Sequence, residues 1–280
     1  MSTTTCTINP THNQTHAFVP ASPARTATIR RARKAEWTKL RTLPSTWRTA
    51  IMAVTVSIAL GTILCISQAN GWATMTAQQR HTFDPTSCSL GGIFLIGVVL
   101  LGALGARTVT SEYSTGMIRT TFTAMPTRRL VLAAKAAVTA AFVFPVALLC
   151  AVLSFEVGQR VFISKHLQVS LGHPGVLQAI AFAAVAVSLV GVIGVGLGAV
   201  IRHTAATTTV LAVVIVGGLT LGQFVPAGLR QYLPGTALQA AVTVNRSVGL
   251  LRPGTAIIVL GLYAAVILVA ASIRMAHRDA

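Results

Sequence analysis

Charge is scarce in this 280-residue chain. Only 10% of its residues are Asp, Glu, Lys or Arg, against roughly 25% in a soluble globular domain, so there is too little polar surface to coat a folded body in water. Acids are rarer still: Glu36, Asp84, Glu112, Glu156 and Asp279 are all there are. Four cysteines show no zinc-ligand spacing. Cys65 and Cys150 fall in apolar runs, Cys6 lies near the start, Cys88 lies outside the runs, and no pair reads as a staple. His12 and His16 are four apart, but two ligands are too few for a zinc site. H-E-x-x-H, G-x-S-x-G and paired carboxylates are missing, which removes the common hydrolytic constellations. The G-x-x-x-x-G-K-[ST] phosphate loop is missing too, so the chain does not hydrolyse ATP by that device. No cofactor or metal is expected in this chain.

Apolar residues fill the space left by charge. They make up 53% of the chain, and long intervals contain no charged residue at all: 49–79, 85–106, 136–155, 166–201, 203–229 and 253–273. A bilayer span takes about 20 apolar residues, so each interval holds one. Runs such as AIAFAAVAVSLVGVIGVGLGAVI are apolar on every side rather than alternating, which favours helices over barrel strands. The expected fold is an all-α polytopic membrane protein of six transmembrane helices, at about 49–69, 89–107, 130–155, 176–201, 206–225 and 254–273.

Net charge is +17. Basic surfaces bind nucleic acid, but here the charge sits in clusters flanking apolar runs, eight Lys or Arg over residues 25–48 and five over 107–135. That placement sets topology, and no nucleic acid partner is expected. With the N-terminus in the cytoplasm, sixteen of the 22 basic residues fall inside and six outside, as the positive-inside rule favours. Both termini are then cytoplasmic and the lipid bilayer is the surrounding partner. The preponderance of Arg over Lys fits a GC-rich bacterial genome, hence a bacterial plasma membrane.

Residues 1–24, rich in Thr, Pro, Asn and His, read as a disordered cytoplasmic tail, and 25–280 as one transmembrane domain. Residues 25–46 read as a basic helix with Ile29, Trp37, Leu40 and Leu43 as apolar anchors, lying in the headgroup layer with Trp37 and Trp47 as interfacial anchors. The segment 226–253 is mildly apolar and suits a pair of short helices dipping into the outer leaflet, a possible re-entrant segment before the last span, tolerated where protein shields the backbone. Glu156 and Arg160 stand at helix spacing for an ion pair. Gly191, Gly194, Gly196 and Gly198 in the fourth span permit close helix approach.

The segment TVTSEYSTGMIRTTFTAMPTRRL (108–130) is the chemically distinct part. Ser111 is a candidate N-cap for a short helix, with Glu112 at its positive end. Met117, Ile118, Phe122 and Met125 gather toward one side, Pro126 marks the helix boundary, and Thr127 is placed to cap the third span. The result is a small amphipathic helix suited either to a partner's groove or to the bilayer surface.

EYSTGMIRTTFTAMPTRRLVLAAK resembles the cytoplasmic segment of ABC-2 type transporter permeases: Glu112, three residues, Gly116, Met117 where Thr is common, Ile118, then an apolar helix before Pro126 and, beyond it, Lys135. AEWTKLRTLPSTW (35–47) is similar to the entry helix of actinobacterial members, GLGAVIRHTA (196–205) to the end of their fourth span, and YLPGTALQA (232–240) to their last external segment. The resemblance implies six spans, an interfacial entry helix, a cytoplasmic coupling helix and external re-entrant helices. It also implies a second permease subunit, as homo- or heterodimer, and separate ABC ATPase (nucleotide-binding) subunits that bind the ATP. By the same resemblance Glu112, Gly116, Ile118 and Phe122 take the ATPase-coupling role, and the chain is an export permease with no enzymatic activity of its own. The competing readings are an ion-coupled secondary transporter or channel, and a non-transporting membrane scaffold.

Overall fold

A computed structural model describes residues 25–124, 127–244 and 249–278. The expected tail 1–24 and the boundary residue Pro126 lie outside them. The described residues are all-helical, with no strand among them. Helix α1 covers Arg25–Thr42 and α2 Pro44–Gly71. The short α3 is Ala77–Thr82; α4, Pro85–Gly92, passes through a π-turn into α5, Val98–Ser114. Then come α6 (Met117–Ala124), α7 (Arg128–Ile163), α8 (Val176–Ile201), α9 (Thr204–Thr220), α10 (Ala227–Arg230), α11 (Pro234–Val242) and α12 (Pro253–Arg278).

Five helices are long and apolar enough to cross a membrane: Pro44–Thr74, Pro85–Ser114, Arg128–Ile163, Val176–Ile201 and Pro253–Ala276. Each contains the greater part of an expected span. The stretch expected as the fifth span, 206–225, is instead the 17-residue α9 followed by a 3-10 turn, Leu221–Phe224. At 1.5 Å per residue, α9 alone is about 25 Å long, short of a ~30 Å hydrocarbon core. The second span begins earlier than expected, because Pro85 starts a helix that Asp84 caps. Asp84 Oδ1 accepts from the backbone N–H of Thr86 and Ser87, and Oδ2 accepts from Ser87 Oγ at 2.8 Å and Val244 N at 2.9 Å. Cys88 therefore lies inside the second span rather than outside it. Helix α7 runs on to Ile163, so Glu156 and Arg160 are helical, yet no ion pair joins them among the described residues.

Helix α8 is the centre of the bundle, flanked by α5, α7 and α12. Its glycines explain how it gets so close to α5. A Cβ on Gly194 would stand 2.1 Å from the Gly102 carbonyl oxygen, and one on Gly105 2.1 Å from the Gly191 carbonyl oxygen. The two backbones touch, which replaces side-chain burial by dispersion contact where lipid offers no hydrophobic contrast. On α9 a similar contact holds α11, because a Cβ on Gly235 would meet the Ile215 carbonyl at 2.3 Å. Gly235–Leu238 and Ala240–Val242 are buried, with Gln239 exposed between them, so α11 is a short helix sunk between α8, α9 and α12.

The basic segments share one end of the bundle. Arg202, just after α8, lies over the Tyr113 ring at 4.6 Å, and Arg128 donates to the Met275 carbonyl of α12 at 2.7 Å. This "basic end" carries α1, α6 and the start of α7. Gly194→Leu should reduce the monodisperse fraction in size-exclusion chromatography severely, because the opposing atoms are backbone and overpacking costs at least about 1–3 kcal/mol. Gly261→Leu, with nothing within 4 Å of the new Cβ, should leave the elution profile unchanged.

Candidate functional site

At the basic end four charged side chains from three helices meet. Glu36 and Lys39 come from α1, Glu112 from the last turn of α5, and Lys135 from the second turn of α7. Lys135 Nζ donates to Glu112 Oε1 at 2.6 Å, to Glu36 Oε2 at 2.9 Å and to the Thr108 carbonyl at 3.2 Å. Lys39 Nζ donates to the same Glu112 Oε1 at 2.7 Å and to Glu36 Oε1 at 3.4 Å. Side-chain exposure is 2% for Lys135, 6% for Glu112 and 11% for Glu36, but 38% for Lys39. Two carboxylates and two ammonium groups cancel, and that makes the burial tolerable. An isolated charge there would cost several kcal/mol.

Local sequence explains the assembly. On α1, Ala32, Glu36 and Leu40 are buried at successive i, i+4 steps, so Glu36 belongs to the face packed on α7. On α5 the helix continues through Ser111 and Glu112 to Ser114. The expected N-cap is thus not formed: Ser111 Oγ donates back to the Arg107 carbonyl at 2.6 Å, and Glu112 sits at a helix C-terminus. An acid is disfavoured there by the macrodipole, and Lys39 and Lys135 offset it. The break comes at Gly116, whose φ of +73° closes α5 as only glycine does cheaply. Thr127 precedes α7 without a side-chain cap bond; its carbonyl accepts from Leu130 and Val131 instead.

Helix α6 hangs from this glycine. Ile118 is buried at 9% exposure, Met117 is half exposed, and the Phe122 side chain lies outside the described residues. Beside it a groove of about 510 Å³ runs between α1, the start of α2, and α5, lined among others by Glu36, Lys39, Thr46, Arg107, Glu112 and Met117. Glu112 Oε2 is buried without a hydrogen-bond partner among the described residues. Trp37 and Trp47 both present edges to Phe142, at 6.4 and 5.7 Å between centroids, and remain 40% and 47% exposed. Trp47 Nε1 also donates to the Arg41 carbonyl, which fastens the turn at Pro44.

A family model described as ABC-2 family transporter protein matches residues 33–219, more than half of the chain. The chain belongs to that family. It is a multi-pass membrane component of an ABC transporter, and a transport component rather than a catalyst. Neither the curated proteins nor the solved structures gave a match. The family match includes all four charges of the cluster, α6, and the α5–α8 contact.

Of the permease's expected site residues, the structure gathers Glu112, Gly116 and Ile118 at one junction. Glu36, Lys39 and Lys135 are the members that sequence reasoning did not assign. The available signal was scarcity: two of five acids, Glu36 and Glu112, lie in the two basic clusters, and a lysine enters an adjoining span, so pairing was the cheapest outcome.

Burial pulls the Lys39 ammonium downward, but the Glu112 hydrogen bond and the Glu36 and Glu112 charges outweigh it and leave its pKa above the usual lysine value. A raised folded pKa gives stabilisation that is full below the ordinary lysine pKa and lost as pH rises through the raised value. In neutral buffer Lys39 therefore counts as a charge. Lys135→Ala removes the buried cation and leaves two buried carboxylates to the partly exposed Lys39 alone, and should cost about 3–5 kcal/mol in detergent unfolding. Lys39→Ala, at a partly exposed site, should cost about 1 kcal/mol or less.

Proposed function

We propose that this permease is an exporter subunit driven by a separate ABC ATPase, which docks at the basic end and acts through α6 and the charge cluster. The observation that carries the reading is the suspension of α6. It is joined to α5 by a single left-handed glycine, and α5 is tied through Glu112 to α1 and α7 at the same level. A push on α6 therefore reaches three helices at once. Glu112, Gly116, Ile118 and Phe122 form the coupling set, with Lys39, Glu36 and Lys135 as its support.

In this reading the basic end is cytoplasmic. Its support is the convergence there of Arg128, Lys135, Arg202 and α1, which matches the positive-inside bias. Helix α1 lies in the headgroup layer, with Trp37 and Trp47 at the interface. Helix α9 makes the sixth crossing together with Leu221–Phe224: four further residues at about 2 Å each bring its length to about 33 Å. The sunken α11 is the re-entrant element of the outer leaflet, and residues 1–24 form a cytoplasmic tail. A second permease subunit completes the path. The apolar spans suit a lipidic or amphipathic cargo.

The test is co-reconstitution with a candidate ABC ATPase. Phe122→Ala should weaken association about tenfold, the equivalent of about 1.4 kcal/mol, and reduce permease-stimulated ATP hydrolysis while membrane insertion stays intact. Normal binding and stimulation in both Phe122→Ala and Glu112→Ala would remove the coupling assignment. Uptake by the purified permease alone, driven by an ion gradient, would replace it with secondary transport.

A further inference from the structure

At the end of the bundle opposite the charge cluster, two cysteines from different helices meet. Cys65 Sγ of α2 and Cys88 Sγ of α4 stand 3.8 Å apart. Their proximity is built into the crossing. Helices α2 and α4 run antiparallel, and their backbones touch at Gly61 and Gly92, where a Cβ on Gly92 would lie 2.3 Å from Gly61 N. Cys65 is one turn beyond Gly61 and Cys88 one turn before Gly92, so the same antiparallel register that pairs the glycines pairs the thiols. Cys65 is fully buried, backed by Phe162 and by Gly158 of α7. Cys88 is half-buried and lines an open cavity of about 480 Å³ together with Gln68, Gln79, Asp84, Gln239 and Thr243. One thiol is thus reachable and the other waits behind it.

We propose that Cys65 and Cys88 are a redox-active pair that closes to a disulfide between α2 and α4, with a small disulfide or a disulfide oxidoreductase as oxidant. The Cys88 thiol loses its proton to water and attacks one sulfur of the oxidant's disulfide. That bond breaks and the first thiolate leaves, taking up a proton. The Cys65 thiol, likewise deprotonated, attacks the Cys88 sulfur of the mixed disulfide and expels the second thiolate. Two protein thiols are oxidised and one oxidant disulfide is reduced to two thiols. Closing from 3.8 Å to the ~2.05 Å of a disulfide is within reach of side-chain rotation because the helices are already in backbone contact. The pairing does not depend on which way the bundle faces, although the orientation proposed above puts this end in the more oxidising space.

The full chain, purified in detergent and first reduced, is incubated with oxidised glutathione, blocked with N-ethylmaleimide and digested without reductant for mass spectrometry. The peptides holding Cys65 and Cys88 should be recovered mainly as one linked species that dithiothreitol separates. In Cys65→Ser, Cys88 should instead carry glutathione. Recovery of wild-type Cys65 and Cys88 as separate N-ethylmaleimide adducts, as separate glutathione adducts, or linked to Cys6 or Cys150, would overturn the proposal.

Discussion

The salt bridge between Glu112 and Lys135 is the constraint on which the basic end depends. Both side chains are almost wholly buried and 2.6 Å apart, in a chain whose composition offers few alternative partners. A charge in an apolar helix has three outcomes: it neutralises, reaches the interface, or pairs. Lys135 lies about two turns deeper in α7 than Arg128 and Arg129, so it pairs. Once it pairs with both Glu112 and Glu36, the positions of α5 and α1 on α7 are set together. Lys39 then closes the set by sharing the Glu112 oxygen that Lys135 already holds. Such ion sets add little net stability compared with apolar packing, but they resist any register other than the one that satisfies all members.

Elsewhere the bundle is held by the opposite device, the removal of side chains. Gly102, Gly105, Gly191 and Gly194 bring α5 and α8 into backbone contact, and Gly61 with Gly92 does the same for α2 and α4. Within a membrane, where apolar surface gains little from leaving lipid, close approach is what makes one helix pair better than another. The glycines specify neighbours and the charges specify height. Together they leave α8 encased and the faces of α2 and α12 outward, with Ile51, Ile63, Ile258, Leu262 and Val266 exposed.

These two devices were unequally legible. Span count and placement come from the absence of charge over long intervals, which is a property of single stretches, and five of six were read nearly in place. Helix α9 ends at Thr220, inside the expected 206–225 stretch, because the backbone tightens into a 3-10 turn while apolarity continues. The end of α5 was misread for a different reason. Ser111 followed by Glu112 has the chemistry of a helix start, and only the distant Lys39 and Lys135 make it acceptable at a helix end. Likewise Cys65 and Cys88, separated by the first interhelical connection, meet through a glycine contact that neither local stretch announces. Pairings across helices were the illegible part, because they depend on which glycines and which charges face each other across distant stretches.

The placement of Gly116 ties these observations to the proposed coupling. Helix α5 needs a left-handed residue to stop one turn after Glu112, and α6 begins at the next position. A longer linker would let α6 move without disturbing Glu112. A continuous helix would drive α6 into the space beneath the bundle as a rigid rod. One glycine instead gives a joint that bends but does not stretch, since successive Cα atoms stay 3.8 Å apart. Displacement of α6 along the bundle axis must therefore be taken up by α5, and α5 is joined to α8 by backbone contact along its upper turns. Force applied at the basic end has a route into the buried centre that passes through no flexible segment longer than this joint.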